Sequence, residues 1–293
     1  MEIDFLKMQG GGDDLVLLDR FPRGTPPGEG SAPAALDLPR LAVKILDRST
    51  GVGGGSLVVL GRGQSERLAA RCLAPDGREA PLTSAALRCA ARYASDSGIV
   101  TEGDFRVETS GHPVRVTVID SINVRVDMGM PFSPDEAAEI REKPAASFTR
   151  GILVGDRSVS YTPVSLGTPR AIMFVDNFDF PVSRTARRIA SHPDFAEGVG
   201  IGFVQVCDRE TLRIRTWEPS PRGGIAPRGG GCDCAAAALV ASVVHGFTDR
   251  ECFAQMPGGT IFLQWEEGDN RVYLTGPALY VFTGSYDFEE EKD

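Results

Sequence analysis

Lysine is scarce in this chain of 293 residues and occurs only at Lys7, Lys44, Lys143 and Lys292. Acidic residues outnumber basic ones, and the formal net charge is −9. A protein that binds the phosphate backbone of nucleic acid, or an anionic membrane surface, needs a concentrated basic face. The composition therefore argues against nucleic acid and membrane as partners.

Long apolar runs and a leader segment are also missing. No apolar run approaches the roughly 18 residues that a membrane span needs, and the N-terminus lacks a basic region followed by an apolar run and a small-residue cleavage site. We therefore expect a cytoplasmic protein. The six cysteines lack the dense spacing of a disulfide scaffold, so they are interpreted as thiols. Core packing is the expectation for Cys72, Cys207 and Cys252, which lie in apolar runs.

The first half of the chain alternates short β-rich runs with one helix. Strands are predicted at 15–18, 56–60, 114–119 and 122–126, because these are short β-rich runs and several of them alternate apolar and polar residues with period two. Strong helix formers follow Ser84, and Thr83 and Ser84 both offer oxygens that can cap the first turn. The helix is expected to end near Gly98. The stretch 23–39, rich in Gly, Pro and Ala, predicts a loop.

The second half repeats this plan. Strands are predicted at 171–175, 201–206 and 212–217, and a helix is predicted from Cys234 to Val244 after a glycine-rich loop. That helix is almost wholly apolar, which predicts that it is buried on all sides. The two halves therefore indicate an internal duplication, with two lobes rather than one large domain.

Motifs in both halves carry a resemblance to a known family. The segment APDGREAPLTSAALRC at 74–89 resembles the diaminopimelate epimerase signature Asn-Ala-Asp-Gly-Ser-Glu-Ala-x-x-Cys-Gly-Asn-Gly-x-Arg-Cys. Further motifs follow in family order at 5–14, 126–131, 166–170, 203–206, 257–260 and 274–282. Because the ordered set is specific, the chain is identified as a divergent member of that family.

The resemblance implies an α+β fold of two pseudo-symmetric lobes, each a barrel-like, mainly antiparallel sheet around a central helix. The implied first lobe comprises residues 1–128 plus 279–293, the implied second lobe comprises 129–278, and the active cleft lies between them. In the family, one cysteine from each lobe faces the α-carbon of a small substrate, and no cofactor is used. The family also makes a homodimer possible.

The catalytic cysteine of the first lobe falls on Thr83 in this alignment. A helix N-terminus cannot bring a hydroxyl near neutral pKa, so Thr83 cannot act alone as a general acid or base. Two interpretations stay open: Thr83 caps its helix, or it contacts a ligand oxygen.

In the second lobe the catalytic cysteine of the family falls in a loop that can be aligned in two ways. An ungapped alignment puts it on Pro227, whereas a loop insertion puts it on Cys232, directly before the predicted helix. A helix N-terminus activates a thiol, although Asp233 opposes thiolate formation. Cys232 is therefore either a reactive thiol or a buried, inert one. Cys232 with Cys234 lacks the second ligand pair of a structural zinc site, so no metal is expected.

The substrate positions implied by the resemblance are altered as well. Family asparagines fall on Asp13, Ala74, Thr168 and Gly200, whereas Glu218 is retained as a third candidate catalytic residue. The candidate substrate-binding residues are Asp13, Ser56, Ser84, Ala85, Thr168, Gly200, Gly230 and Gly231. Since a substrate with two amino acid heads needs amide and guanidinium partners, diaminopimelate is not the expected substrate.

Three hypotheses follow. The first is a cofactor-independent enzyme of specialised metabolism with one thiol base, acting as an isomerase, dehydratase or cyclase. The exchange of Cys for Thr resembles that in hydroxyproline dehydratases of the wider superfamily. The second is a non-catalytic descendant that binds a small ligand or a protein, and the third is an orthodox epimerase whose loops are misaligned.

Overall fold

A computed structural model describes residues 1–21, 36–131, 145–193, 195, 199–219, 225–228 and 230–289. The chain divides into two compact units. Unit 1 comprises Met1–Val124 and Pro277–Asp293, and unit 2 comprises Arg125–Gly276. The boundaries between the units follow residues 124 and 276, whereas those between the lobes proposed from the sequence follow residues 128 and 278.

Unit 1 is a sheet with two helices. Its strands are β1 (Glu2–Gly10), β2 (Asp13–Asp19), β3 (Ser56–Gly61), β4 (Leu68–Leu73), β5 (Glu79–Ala80), β6 (Asp104–Glu108), β7 (Val114–Val118) and β18 (Leu279–Asp287), and its helices are α1 (Leu38–Ile45) and α2 (Ser84–Asp96). Strands β8 (Asn123–Gly129) and β17 (Val272–Pro277) contain the unit boundaries.

The described part of unit 2 contains a similar set of strands and helices, together with one 3-10 helix. They are a 3-10 helix (Ala145–Phe148), β9 (Arg150–Val154), β10 (Arg157–Leu166), β11 (Thr168–Phe174), α3 (Val182–Ala190), β12 (Gly200–Asp208), β13 (Thr211–Pro219), β14 (Ile225–Arg228), α4 (Cys232–Val244), β15 (Glu251–Met256) and β16 (Gly259–Trp265).

Strand pairing in the two units follows one plan. In unit 1, β1–β2 is antiparallel, β2–β3 parallel, β3–β4 antiparallel, β4–β6 parallel and β6–β7 antiparallel. In unit 2, β10–β11, β11–β12, β12–β13, β13–β15 and β15–β16 repeat that order of antiparallel and parallel pairs. The short strands β5 and β14 occupy equivalent places beside β4 and β13. The predicted duplication is therefore confirmed at the level of topology.

Each sheet surrounds a helix made of small residues. Helix α2 packs against β1, β2, β3, β4 and β7, and α4 packs against β10, β11, β12, β15 and β16. Small side chains allow the sheet to approach a helix on several sides, and the first eleven residues of α4 are buried except for Asp233. The expected α+β fold, with a barrel-like sheet around a central helix in each unit, is confirmed.

Two helices were not predicted. The stretch 23–39 was expected to be a loop, but helix α1 already begins at Leu38. Most of that stretch lies outside the described residues. Helix α3 is rich in arginine and buries only Ala186 and Ile189. Both helices are short, so the packing of one narrow apolar face stabilises them more than intrinsic propensity does.

Candidate functional site

The first residue of interest in unit 1 is Thr83, which is the N-cap of α2. Its backbone is extended (φ −75°, ψ 160°), and its Oγ1 accepts a hydrogen bond of 3.2 Å from the N–H of Ala86. Its carbonyl accepts from the N–H of Leu87 at 2.9 Å. The hydroxyl therefore has the capping role that one of the two interpretations gave it. The side chain is exposed, so one lone pair and the hydroxyl proton can still meet a ligand.

Ser84 and Ala85 form the buried first turn of α2. The buried guanidinium of Arg88 donates to Ser84 Oγ at 3.3 Å and to the carbonyl of Pro277 at 3.2 Å. Gly10 lies against the helix here, because a Cβ on Gly10 would stand 3.2 Å from Ala85. The first turn of α2 is thus held in place from both sides.

Asp13 and Ser56 lie at the same end of the unit 1 sheet. Asp13 pairs with Gly10, which contacts Ala85, and Ser56 pairs with Leu15 at the start of β3. Both side chains are half-buried. The structure therefore places Thr83, Ser84 and Ala85 at the start of α2, and it places Asp13 and Ser56 at the starts of the neighbouring strands β2 and β3.

The buried ammonium group of Lys7 connects strand β2 to the segment that precedes β3. Lys7 donates to Asp14 Oδ2 at 2.7 Å and to the carbonyl of Gly53, while Arg48 donates to Asp14 Oδ1 at 2.7 Å. Burial raises the pKa of Asp14, but the hydrogen bonds from Arg48 and Lys7 outweigh it and leave that pKa below its usual value. Asp14 is accordingly a charged structural partner rather than a proton donor.

In unit 2 the corresponding helix start is built differently. The N-cap of α4 is Gly231, in the left-handed region at φ 68°, and within the described residues no side-chain hydrogen bond caps the helix. Gly231 follows β14 at the same interval at which Thr83 follows β5. Cys232 is the first helical residue and is 2% exposed, and Gly230 is also buried. The thiol therefore lies one residue further into its helix than the hydroxyl of Thr83 does.

The sheet beneath α4 presents two rows of side chains at this end. Ile172, Gly202 and Thr216 form one row across β11, β12 and β13. The second row lies two residues along each strand on the same face. It contains Arg170, its pairing partner Gly200, and Glu218, which is two residues after Thr216. The face points at the helix, because a Cβ on Gly202 would stand 2.6 Å from Cys234 Sγ.

Arg170 and Glu218 form an ion pair over Gly200. The Nη2–Oε2 distance is 3.3 Å, and the side chains are 8% and 14% exposed. A Cβ on Gly200 would stand 2.8 Å from both Arg170 Cδ and Glu218 Oε2, so the glycine leaves room for the pair. Gly200, a predicted substrate-binding position, is thus covered by these two side chains. Half-buried Thr168 begins the same strand as Arg170 and points to the same face.

Two buried polar atoms in these rows have no hydrogen-bond partner among the residues that the structure describes. Arg170 Nη1 donates to the carbonyl of Pro169 at 3.2 Å, but Arg170 Nε has no acceptor. Thr216 is 3% exposed, and its Oγ1 also lacks a partner. This oxygen lies against the helix start, because a Cβ on Gly231 would overlap it. Sequence reasoning missed both residues as site candidates, although Arg170 ends the motif at 166–170.

The thiols of unit 2 differ in environment. Burial raises the pKa of Cys234 strongly, and the charge of Glu218 raises it further, whereas that of Arg170 lowers it. Cys252 and, in unit 1, Cys72 are buried as expected. Cys207 is exposed, so the core-packing prediction is wrong for it: it lies near the end of β12, where the strand leaves the core.

Two kinds of feature are absent from the described ranges: clusters of metal-ligating side chains and apolar helices of membrane-spanning length. No group of three or more His, Cys, Asp or Glu side chains in that part of the chain is placed to hold a metal ion. No helix in the same part is long and apolar enough to cross a bilayer.

The sequence is similar to those of known proteins. The family model for diaminopimelate epimerase matches residues 162–281. The diaminopimelate epimerase of Acetivibrio thermocellus is 33% identical over 292 residues, covering 98% of this chain and 99% of that protein.

Solved structures agree in fold. A probable proline racemase from Agrobacterium radiobacter K84 superposes with a TM-score of 0.66 at 16% identity, over 98% of this chain and 93% of that one. A phenazine biosynthesis protein of the PhzF family from Enterococcus faecalis gives 0.62 at 14% identity, over 98% and 100%. Because it is 33% identical to a diaminopimelate epimerase over nearly the full length of both proteins, the chain belongs to the diaminopimelate epimerase family.

Proposed function

We propose that this protein is a cofactor-independent enzyme that performs one-base chemistry on a small amino acid-like or specialised-metabolite substrate. The reaction is an isomerisation, a dehydration or a cyclisation, not the epimerisation of diaminopimelate. The observation that carries this proposal is the difference between two equivalent helix starts. Thr83 stands at the N-cap of α2, whereas α4 has Gly231 at the N-cap and Cys232 directly after it.

Only one of these helix starts supplies a group that can act as a base. The positive end of a helix lowers the pKa of a thiol into the physiological range but leaves a hydroxyl far above it. Thr83 Oγ1 also accepts the hydrogen bond that caps its own helix. Inversion by two opposed thiols, as the family mechanism has it, is therefore replaced by removal of a proton at one side.

A dehydration illustrates the chemistry. The thiolate of Cys232 takes the α-proton, and the electron pair of the C–H bond forms the new double bond as the C–O bond at the β-carbon breaks. The leaving hydroxide takes a proton from solvent to become water, and the Cys232 thiol returns the α-proton to solvent, so the net reaction releases one water. In this proposal Thr83 contacts the leaving oxygen, and the helix N-termini stabilise the charge that develops on the substrate carboxylate.

Candidate substrate positions in both units support the exclusion of diaminopimelate. Glu218 is already ion-paired with Arg170, so its charge is compensated before a substrate ammonium arrives. Asp13 and Thr168 offer no amide where the family resemblance expects asparagine. A substrate with two ammonium and two carboxylate groups would leave charges poorly paired at these positions.

The test is deuterium uptake from heavy water, measured by mass spectrometry over a panel of amino and hydroxyamino acids. We expect uptake or water loss with at least one compound, and we expect both to disappear in Cys232→Ser. Cys207→Ser is the matched control, because it removes an exposed thiol of the same unit. Activity that survives Cys232→Ser would reject Cys232 as the base.

The burial of Cys232 favours a second candidate function. A thiol that is 2% exposed fits a descendant that binds a small carboxylate without turning it over. In that case no compound of the panel exchanges its α-proton, while a carboxylate still raises the melting temperature of the protein. The two candidates therefore predict opposite results in the deuterium experiment.

A further inference from the structure

We propose that a cleft between the β9–β10 hairpin and the end of α3 binds an organic phosphate with two or more phosphoryl groups, of which a nucleoside diphosphate is an example. The proposal goes beyond the proposed function, because none of the residues that line this cleft belongs to the candidate site. The cleft has a volume of about 400 Å³. Sites for small molecules have volumes of roughly 300–1,000 Å³, so a ligand of this size fits.

The hairpin and α3 are neighbours because they share one apolar cluster. Ile152 of β9 and Ile189 of α3 are buried in that cluster, and partly buried Val154 packs against it. Beyond the cluster the two elements leave the cleft open between them. One wall of the cleft contains Leu153 and Val154, and the other contains Arg187 and Arg188.

The wall formed by α3 is basic. Arg184 and Arg188 are four residues apart, so they lie on one side of the helix, with Arg187 beside them. All three side chains are exposed. On the hairpin, exposed Arg157 pairs with Val154, so its side chain lies on the same face of the ribbon as that lining residue. Four guanidinium groups are therefore available around the cleft.

Within the described ranges, these four arginines lack the carboxylate partners that several other arginines of unit 2 have. Those other pairs are Arg125–Glu266, Arg170–Glu218, Arg209–Asp249, Arg250–Glu267 and Arg271–Asp127. Like charges one helical turn apart repel each other. A bound anion would relieve that repulsion, and the unpaired guanidinium groups can form hydrogen bonds to it.

A phosphoryl group suits this wall better than a carboxylate does. It carries about −1.5 to −2 charges at pH 7 and has three strong acceptor oxygens. The planar guanidinium group matches phosphate with two parallel hydrogen bonds. Because several guanidinium groups surround one cleft, a ligand with two or more phosphoryl groups satisfies more of them than a monophosphate does.

The wall formed by the hairpin accounts for the organic part of the ligand. Leu153 is 64% exposed, which is the largest fraction among the exposed large hydrophobic side chains of the described residues. Val154 and Pro193 add further apolar surface to the cleft. A ligand that covers this surface gains from its burial, and an aromatic ring can also stack on a guanidinium group. A nucleoside diphosphate combines both features.

Calorimetric titration of the full chain at constant ionic strength tests the proposal, with ADP, adenosine and inorganic pyrophosphate as probes. We expect ADP to bind at least about tenfold more tightly than adenosine and several-fold more tightly than pyrophosphate. A hexaglutamate peptide tests whether the cleft takes an acidic protein segment instead. No binding of ADP, or equal or tighter binding of adenosine, pyrophosphate or hexaglutamate, would overturn the proposal.

The variant that assigns binding to the cleft is Arg187→Gln combined with Arg188→Gln. Its matched control is Arg209→Gln combined with Arg213→Gln, which removes the same charge from two exposed positions of the same unit. We expect the affinity for ADP to fall about tenfold or more in the first variant and by less than about twofold in the second. An equal loss in both would show general attraction between charges and would reject the site.

Two single variants keep the test decisive if the double variant does not fold. Arg157→Gln changes the hairpin and not α3, and it should weaken the binding of both ADP and pyrophosphate several-fold. Leu153→Ser should weaken the binding of ADP but leave that of pyrophosphate unchanged. Wild-type affinity for ADP in both variants would contradict the proposal. Because these titrations measure binding alone, their outcome is independent of the deuterium experiment on the proposed reaction.

Discussion

Gly202 and Cys234 meet so closely that a Cβ on Gly202 would stand 2.6 Å from the Cys234 sulfur and 3.0 Å from Ile172 Cδ1. Cys234 is fully buried in α4, and Gly202 lies on the sheet strand beneath it. The absence of a side chain on β12 therefore sets how closely the sheet approaches the central helix of unit 2.

Replacing Gly202 by alanine should destabilise unit 2 by overpacking. We expect Gly202→Ala to lower the free energy of unfolding by about 1–3 kcal/mol. Urea denaturation of Gly202→Ala and Gly151→Ala tests this, because a Cβ on Gly151 would have nothing within 4 Å. Adding Cys234→Ala should recover part of the loss, and equal stability of the two single variants would contradict the close contact.

Thr83→Ala should destabilise α2, because it removes the oxygen that caps the N–H of Ala86. The expected loss in the free energy of unfolding is about 1 kcal/mol. Thr83→Ser keeps a capping oxygen and should remain close to the wild type. Denaturation curves of both variants give the comparison, and an equal loss in both would show that the hydroxyl does not cap the helix.

Arg170→Gln alone should be much more damaging than loss of the whole pair. The single variant removes the Arg170 guanidinium from a mostly buried ion pair with Glu218, which we expect to cost about 3–5 kcal/mol. Adding Glu218→Gln should restore most of that stability. Thermal and urea unfolding of Arg170→Gln, the double variant and exposed Arg209→Gln measure this. A loss of only a few tenths of a kcal/mol in Arg170→Gln would argue against a buried pair.

The pH dependence of stability should include a contribution from Glu108. Hydrogen bonds from the N–H and hydroxyl of Ser65, each at 2.7 Å, and from the N–H of Gln64 and Glu66 lower its pKa from 4.5 to about 2. Because the folded pKa is the lower one, this stabilisation is complete above pH 4.5 and is lost as the pH falls toward 2.

Glu108→Gln should therefore lower the melting temperature at pH 7, and the difference from the wild type should shrink as the pH falls toward 2. Glu2→Gln, at an exposed position of β1, is the control. A difference between Glu108→Gln and the wild type that does not change with pH would contradict the prediction.

Alkylation of the native protein should mark one thiol before the others. Cys207 is exposed, whereas burial raises the pKa of Cys252 to about 12 and raises that of Cys234 as well. Iodoacetamide followed by peptide mass spectrometry should find Cys207 modified and those two protected. Early modification of Cys252 or Cys234 would contradict their burial. Protection of Cys232 in the same experiment would favour the binding protein over the one-thiol enzyme.

Much of the framework followed from local pattern. The helix after Thr83 was predicted to start at Ser84 and does so, because a capping hydroxyl followed by strong helix formers is a local signal. The helix of unit 2 was predicted from Cys234 and begins two residues earlier at Cys232. Helix α3 was not predicted, because its arginine-rich segment buries only Ala186 and Ile189 and so shows little apolar pattern.

The candidate site could be predicted only in part. The family resemblance pointed to Thr83, Cys232 and Glu218, but it did not indicate that Arg170 pairs with Glu218. The two residues lie 48 positions apart in the sequence and meet only because β11 and β13 both neighbour β12. No local pattern of charge or hydrophobicity encodes that encounter.

The sequence by itself determined the duplication, the two small-residue helices and the exchange of a cysteine for Thr83. These depend on residue type and spacing along the chain, which act over one or two helical turns or one strand. Only the tertiary structure decided that Cys232 is buried, that Gly200 lies beneath an ion pair, and that Arg170 Nε and Thr216 Oγ1 lack partners in the described part of the chain. Burial and hydrogen-bond satisfaction depend on which strands become neighbours, and strand pairing is a property of the whole folded unit.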